Sequence, residues 1–81
     1  MVARNTKVKP GRVVGVVQRS PRVEVRFQIC HFDGRLIFDV RKYLALPGGA
    51  PTPTTKGVAF PVEELPALRD AVLAAIEEMG K

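Results

Sequence analysis

The sequence predicts an α+β fold, four strands followed by one helix, and three observations carry that expectation. Residues 22–32 alternate in polarity, the dipeptide Asp33-Gly34 and a second alternating run follow at once, and from Val62 to Met79 the apolar period becomes helical. With 81 residues the chain holds one domain. A chain of this length buries only roughly 60 % of the surface it exposes when unfolded, so a partner subunit is a natural way to complete its core.

Residues 1–11 are polar and basic, lack an apolar period and end in Pro10-Gly11, which reads as a flexible tail before a domain over 12–81. Val13-Val14-Gly15-Val16-Val17 is β-branched and too short for a stable helix, so it reads as a strand that stops at Ser20-Pro21. In the next run Val23, Val25, Phe27, Ile29 and His31 share one face, and Arg22, Glu24, Arg26, Gln28, Cys30 and Phe32 share the other. Asp33-Gly34 suits a two-residue type I′ hairpin, because both central residues need a positive φ. The third strand, 35–44, puts Leu36, Phe38 and Val40 inward and Arg35, Ile37, Asp39, Arg41 and Tyr43 on the opposite face.

Three prolines and two glycines between Leu46 and Thr55 predict a loop over 47–55, followed by a short fourth strand, Lys56-Gly57-Val58-Ala59-Phe60. In the terminal helix Val62, Leu65, Leu68, Val72, Leu73, Ala75, Ile76 and Met79 share one side. Pro66 fits only in the first turn, which places the start near Glu63, and Gly80 supplies a C-terminal stop. Its apolar arc spans roughly 160°, against the roughly 100° that packing on one sheet uses. Something besides its own sheet is expected to cover it.

Thirteen Lys and Arg against eight Asp and Glu give a net charge of +5, and the charge is graded along the chain. Residues 1–26 carry +6, residues 27–56 carry +2 and residues 57–81 carry −3. A polyanion would meet the first two thirds. A hydrophobic content of 46 % excludes disorder as the state of the whole chain. One cysteine and one histidine exclude a disulfide scaffold and a zinc finger, so neither metal nor other cofactor is expected. No apolar run approaches the roughly 18 to 20 residues of a membrane span, and charges occupy the place of a signal peptide's apolar segment. The expectation is a soluble intracellular protein, of the cytoplasm or nucleoid, or of the nucleus in a eukaryote.

Catalytic machinery is not visible. Cys30 and His31 are adjacent on a strand and project to opposite faces, so they read as a half-buried thiol and a core-edge histidine. Glu63-Glu64 and Glu77-Glu78 sit at the helix ends and read as solvated or dipole-complementing charges. Asp39 and Arg41, two apart on one strand face, read as an ordinary ion pair in which Asp39 orients Arg41 or a neighbour, and an isolated surface pair is worth roughly 0 to 1 kcal/mol. Gly48-Gly49 leads into prolines and not into a helix, so it is no phosphate-cradling loop.

The hairpin about Asp33-Gly34 carries the functional signal. Opposite its apolar face stand Arg22, Arg26, Gln28, Phe32, Arg35, Arg41 and Tyr43. Arginines track phosphates and aromatic rings stack on unpaired bases, so such a face suits single-stranded nucleic acid. On pattern alone a second reading stands beside it, a solvated outer face whose rings merely cover the sheet.

From Val23 to Ile76, about two thirds of the chain, the sequence resembles the single-stranded DNA-binding domain of the transcriptional coactivator family called positive cofactor four. Phe32-Asp-Gly-Arg35, Phe38-Asp-Val-Arg-Lys-Tyr-Leu44 and Lys56-Gly-Val-Ala-Phe60 carry the resemblance in order, and a leucine-bearing helix through Leu65 and Leu68 follows. The resemblance implies a strongly curved four-stranded antiparallel sheet with one C-terminal helix. It also implies a homodimer through the helices, here through Leu65, Leu68, Val72, Ile76 and Met79. It implies a non-enzymatic protein that binds single strands, or the parted strands of melted duplex, with little sequence preference, in transcription regulation or single-strand protection. Transcription machinery is then a further partner. Phe32 would stack on a base, while Arg35, Arg41 and Lys56 would contact phosphates; Arg26, Arg22 and Tyr43 complete the expected surface. Asp33 stands where the family often has lysine, and Leu44 where it usually has tryptophan. Two alternatives remain at this point: an RNA-binding module on the same surface, or a protein-interaction dimer whose basic sheet meets an acidic partner.

Overall fold

The computed structural model describes residues 11–81. The tail expected over 1–11 therefore lies, but for Gly11, outside the described residues. The chain forms β1 (Arg12–Gln18), β2 (Val23–Phe32), β3 (Arg35–Leu44) and β4 (Thr52–Pro61), then a single 3-10 turn (Val62–Glu64) leading into helix α1 (Leu65–Met79). The strands form one antiparallel sheet in the order β1-β2-β3-β4, so each pairs with its neighbour in sequence.

The central hairpin follows from local chemistry. Phe32 pairs with Arg35 across the turn, and the register then runs without interruption to Val23 and Leu44. Asp33 and Gly34 both take positive φ, 54° and 77°. That backbone twist matches the twist of the flanking strands, and Asp is among the few residues with a side chain that tolerate it. Gly34 needs no Cβ-bearing replacement to satisfy the turn, since positive φ is what the position demands.

β4 begins earlier than the sequence predicts, so the loop expected over 47–55 ends before Thr52. Leu44 pairs with Thr52 and Tyr43 with Pro53. Two features let a proline-rich segment pair here. β4 is an edge strand, where proline's missing N–H costs least. Two threonine hydroxyls donate to β3 in addition, Thr52 Oγ1 to the carbonyl of Leu44 at 3.2 Å and Thr54 Oγ1 to that of Lys42 at 2.8 Å. The helix starts as expected, with Pro66 in its first turn and Glu63 and Glu64 just ahead of it.

The distribution of burial inverts the expected inside and outside. The residues most withdrawn from solvent are Gln28, Cys30, Ile37, Asp39 and Tyr43. All five belong to the face the alternation assigned to solvent, where Gln28 opposes Asp39 and Cys30 opposes Ile37. Bulges in the β1–β2 and β3–β4 pairings raise the local twist of the outer strands around this face. Its polar groups are buried because they bond to one another, and no buried side-chain N or O is left without a partner among the described residues. Cys30 is consequently fully buried instead of half-buried, and His31, expected at the core edge, is exposed.

The apolar face is only half covered. Phe27 and Phe38 meet with ring centroids 6.2 Å apart, yet Leu36 and Val58 remain exposed. A groove of about 600 Å³ separates this face from α1, with Phe38, Val40 and Phe60 on the sheet side and Leu65, Leu68 and Val72 on the helix side. No residue of α1 is buried, and Ile76 and Met79 are 60 % and 84 % exposed.

Candidate nucleic-acid interface

β2, β3 and β4 carry the predicted face, and cross-strand pairing fixes which of its residues meet. Arg26 stands directly opposite Arg41, a like-charge pairing that would be unfavourable if both were bare. Each arginine is instead bonded to the acid two residues before it on its own strand, Arg26 Nε to Glu24 and Arg41 to Asp39. Strand alternation places residues two apart on the same side, so both pairs lie on this one face.

The Asp39–Arg41 pair is not the surface ion pair expected from sequence. The guanidinium donates Nε to Asp39 Oδ2 at 3.1 Å and Nη2 to Oδ1 at 2.9 Å, a two-point fork. The two side chains are 12 % and 2 % exposed. Nη1 reaches across to β4 and donates to the carbonyl of Thr54 at 3.0 Å. The bond to Asp39 holds the arginine's pKa above its ordinary value, against the opposing effect of burial. Cys30, behind this pair, has its thiol pKa raised, first by burial and then by the Asp39 carboxylate.

Tyr43 and Arg26 form a second interior cluster. The Arg26 guanidinium lies over the Tyr43 ring, and the Tyr43 hydroxyl accepts a hydrogen bond from Gln28 Nε2 at 2.8 Å. Tyr43, assigned from sequence to the binding surface, is 6 % exposed and offers no open ring face.

Phe32 and Arg35 flank the hairpin turn, and Arg41 stands six residues further along β3, opposite Arg26 and Gly57. All three line an open cleft of about 700 Å³ with Thr55, Gly57 and Glu63. Lys56 is exposed on β4 but is not one of the cleft-lining residues. Arg22 precedes β2, at the far end of that strand from Phe32, and is exposed. Among the described residues Arg22, Arg35 and Lys56 enter no ion pair, so they are the uncompensated cations of the seven predicted positions. The five predicted interface residues of α1 divide as well: Leu65, Leu68 and Val72 line the apolar groove, while Ile76 and Met79 lie beyond it.

Sequence reasoning missed Gly57. It pairs with Arg41, and a Cβ at this position would lie 2.7 Å from the carbonyl oxygen of Val40 and 2.9 Å from Arg41 Cζ. A glycine inside a strand pattern is itself a sign of close approach, and that signal was present in Lys56-Gly57-Val58.

Among the described residues there is no group of His, Cys, Asp and Glu that could hold a metal ion, and no helix long and apolar enough to cross a membrane.

Neither a family model nor a curated protein matches the chain. Solved structures do. The chain is similar to a PC4 homologue from Burkholderia pseudomallei K96243, with a TM-score of 0.78 and 27 % identity, over 86 % of this chain and 95 % of that one. It is also similar in fold to the bacteriophage T5 homologue of the eukaryotic transcription coactivator PC4, described as implicated in recombination-dependent DNA replication. That match has a TM-score of 0.70 and 22 % identity, over 85 % of this chain and 80 % of that one.

Proposed function

We propose that this chain, a PC4-like domain, binds single-stranded DNA in the cleft lined by Phe32 and Arg35, and acts without catalysis in transcription or in recombination-linked replication. The observation that carries the reading is the cleft itself. It sets an aromatic ring beside an uncompensated arginine at the hairpin end, while Arg26 and Arg41 of the same face are bonded to their own acids. A ring can stack on any base and a guanidinium can track any phosphate, so the recognition is tolerant of sequence.

The functional unit in this reading is a homodimer. Its helices pair through Leu65, Leu68, Val72, Ile76 and Met79, and a second copy covers the apolar groove that one chain leaves open. The similarity to the Burkholderia pseudomallei PC4 homologue supports the DNA-binding part of the reading. Fluorescence anisotropy with a labelled thymidine oligomer across a salt series tests the reading. Tight binding that weakens linearly in log salt supports it, and the absence of a salt slope contradicts it.

A further inference from the structure

We infer that Arg41 is a positioning residue, a latch that sets the shape of the β4 edge beside the cleft, and not one of the cations that contact phosphate. The inference rests on the proposed single-strand reading of the cleft and reassigns one of its arginines.

The β3–β4 pairing is interrupted at this point. Arg41 pairs with Gly57 and Tyr43 with Pro53, so Thr54, Thr55 and Lys56 stand opposite Lys42 alone. An excess of this kind pushes backbone out of the ladder, and something must fix its shape. Thr54 is where the fixing occurs. Its hydroxyl donates to the Lys42 carbonyl at 2.8 Å and accepts from the Lys56 N–H at 3.2 Å, while its own carbonyl accepts from Arg41 Nη1 at 3.0 Å. Asp39 holds the other edge of the same guanidinium through two bonds, and itself is almost wholly buried.

Gly57 makes the arrangement possible. With a Cβ there, Arg41 Cζ would be 2.9 Å and Nη1 3.0 Å away, too close for the guanidinium to keep its place. The segment held in this way carries Thr55, which lines the cleft, and Lys56, which is exposed next to it. The latch therefore acts on binding through the position of Thr55 and Lys56. A guanidinium committed to Asp39 and Thr54 would have to abandon buried bonds before it could take a phosphate.

Asp39→Asn separates the two roles by sign. If Arg41 were a phosphate ligand, removal of a carboxylate from its side would release it and tighten oligonucleotide binding. As a latch, it loses its anchor, and binding weakens by about tenfold, the scale of a lost charged hydrogen bond. Arg41→Lys keeps the charge but cannot form the fork, so it is expected to bind as weakly as Arg41→Gln.

Asp39→Asn, Arg41→Lys and Gly57→Ala, with Arg41→Gln as the comparator for Arg41→Lys, are measured by anisotropy with the thymidine oligomer after thermal melts confirm folding, and by hydrogen exchange of the Thr55, Lys56 and Gly57 amides without ligand. Weaker binding in all three, with faster exchange at those amides, supports the latch. Tighter binding by Asp39→Asn, or wild-type binding by Arg41→Lys, overturns it while the single-strand reading stands. If the wild-type chain binds no oligonucleotide, the single-strand reading fails and the exchange data alone decide. Faster exchange then retains the latch, and unchanged exchange in Arg41→Lys overturns it. Should Asp39→Asn not fold, Arg41→Lys and Gly57→Ala supply the same two readouts.

Discussion

The guanidinium of Arg26 lies 4.2 Å from the centroid of the Tyr43 ring and covers it. Gln28 donates to the hydroxyl of that ring, so the tyrosine is held at its face and at its tip by neighbouring residues of β2. A cation over a ring is worth about 0.5 to 2 kcal/mol, depending on how much water it excludes. The cluster shares a sheet face with Arg41 and lies toward the end of the β2–β3 ladder away from the turn, where Tyr43 is buried.

Tyr43→Phe keeps the ring beneath Arg26 and removes only the acceptor for the buried Gln28 amide. An unsatisfied buried donor costs about 1 to 3 kcal/mol, so a loss of that size is expected in denaturant unfolding. Oligonucleotide affinity is expected to change little, because the hydroxyl is turned into the protein.

Phe32 and Arg35 give the opposite result. Phe32→Ala is expected to weaken single-strand binding by about 1 to 3 kcal/mol for each base stacked on the ring, with little change in unfolding free energy. Arg35→Ala is expected to lower the slope of log affinity against log salt by about 0.7, the contribution of one phosphate contact on a single strand. Anisotropy titrations at several salt concentrations check both.

The apolar residues of α1 predict assembly. Ile76→Glu places a charge on the side of the helix that Leu65, Leu68 and Val72 share, at a site already exposed in a single chain. Sedimentation equilibrium is expected to shift from the mass of a dimer to that of a monomer. An unchanged mass would place the second copy elsewhere or remove it.

Cys30 predicts a pH effect. Burial and the Asp39 carboxylate raise its pKa above 9.0 in the folded chain, so the unfolded chain loses this proton first as pH rises. The thiol's contribution to stability is fully present well below the unfolded thiol's pKa and is lost as pH rises through the higher folded value. Reaction with an aromatic disulfide reagent at pH 8 is expected to be slow in buffer and to accelerate on addition of denaturant, since the thiolate is the reactive form.

The order of elements was legible because its signals are local. Alternation marks β2 and β3, Asp33-Gly34 marks the turn between them, and the change of period with Pro66 marks the start of α1. The first half of β4 was hidden, because Pro51 and Pro53 are turn signals anywhere but on an edge strand. Alternation likewise sorted Phe32, Arg35, Arg41 and Tyr43 onto one face. It does not report what covers a face, and here the polar side chains cover one another through Glu24–Arg26, Asp39–Arg41 and Gln28–Tyr43. Phe32 and Arg35 stayed legible because they flank the turn, where no third strand residue reaches them as a pairing partner.

The most direct test of the account is a competition between a single-stranded oligomer and its matched duplex for the wild-type chain, measured at one fixed salt concentration. A cleft that works by stacking unpaired bases on Phe32 predicts that the single strand binds at least about tenfold more tightly, and that Phe32→Ala removes most of the difference. Equal affinity for both, unchanged in Phe32→Ala, would mean that phosphate charge alone accounts for binding and would contradict the stacking cleft.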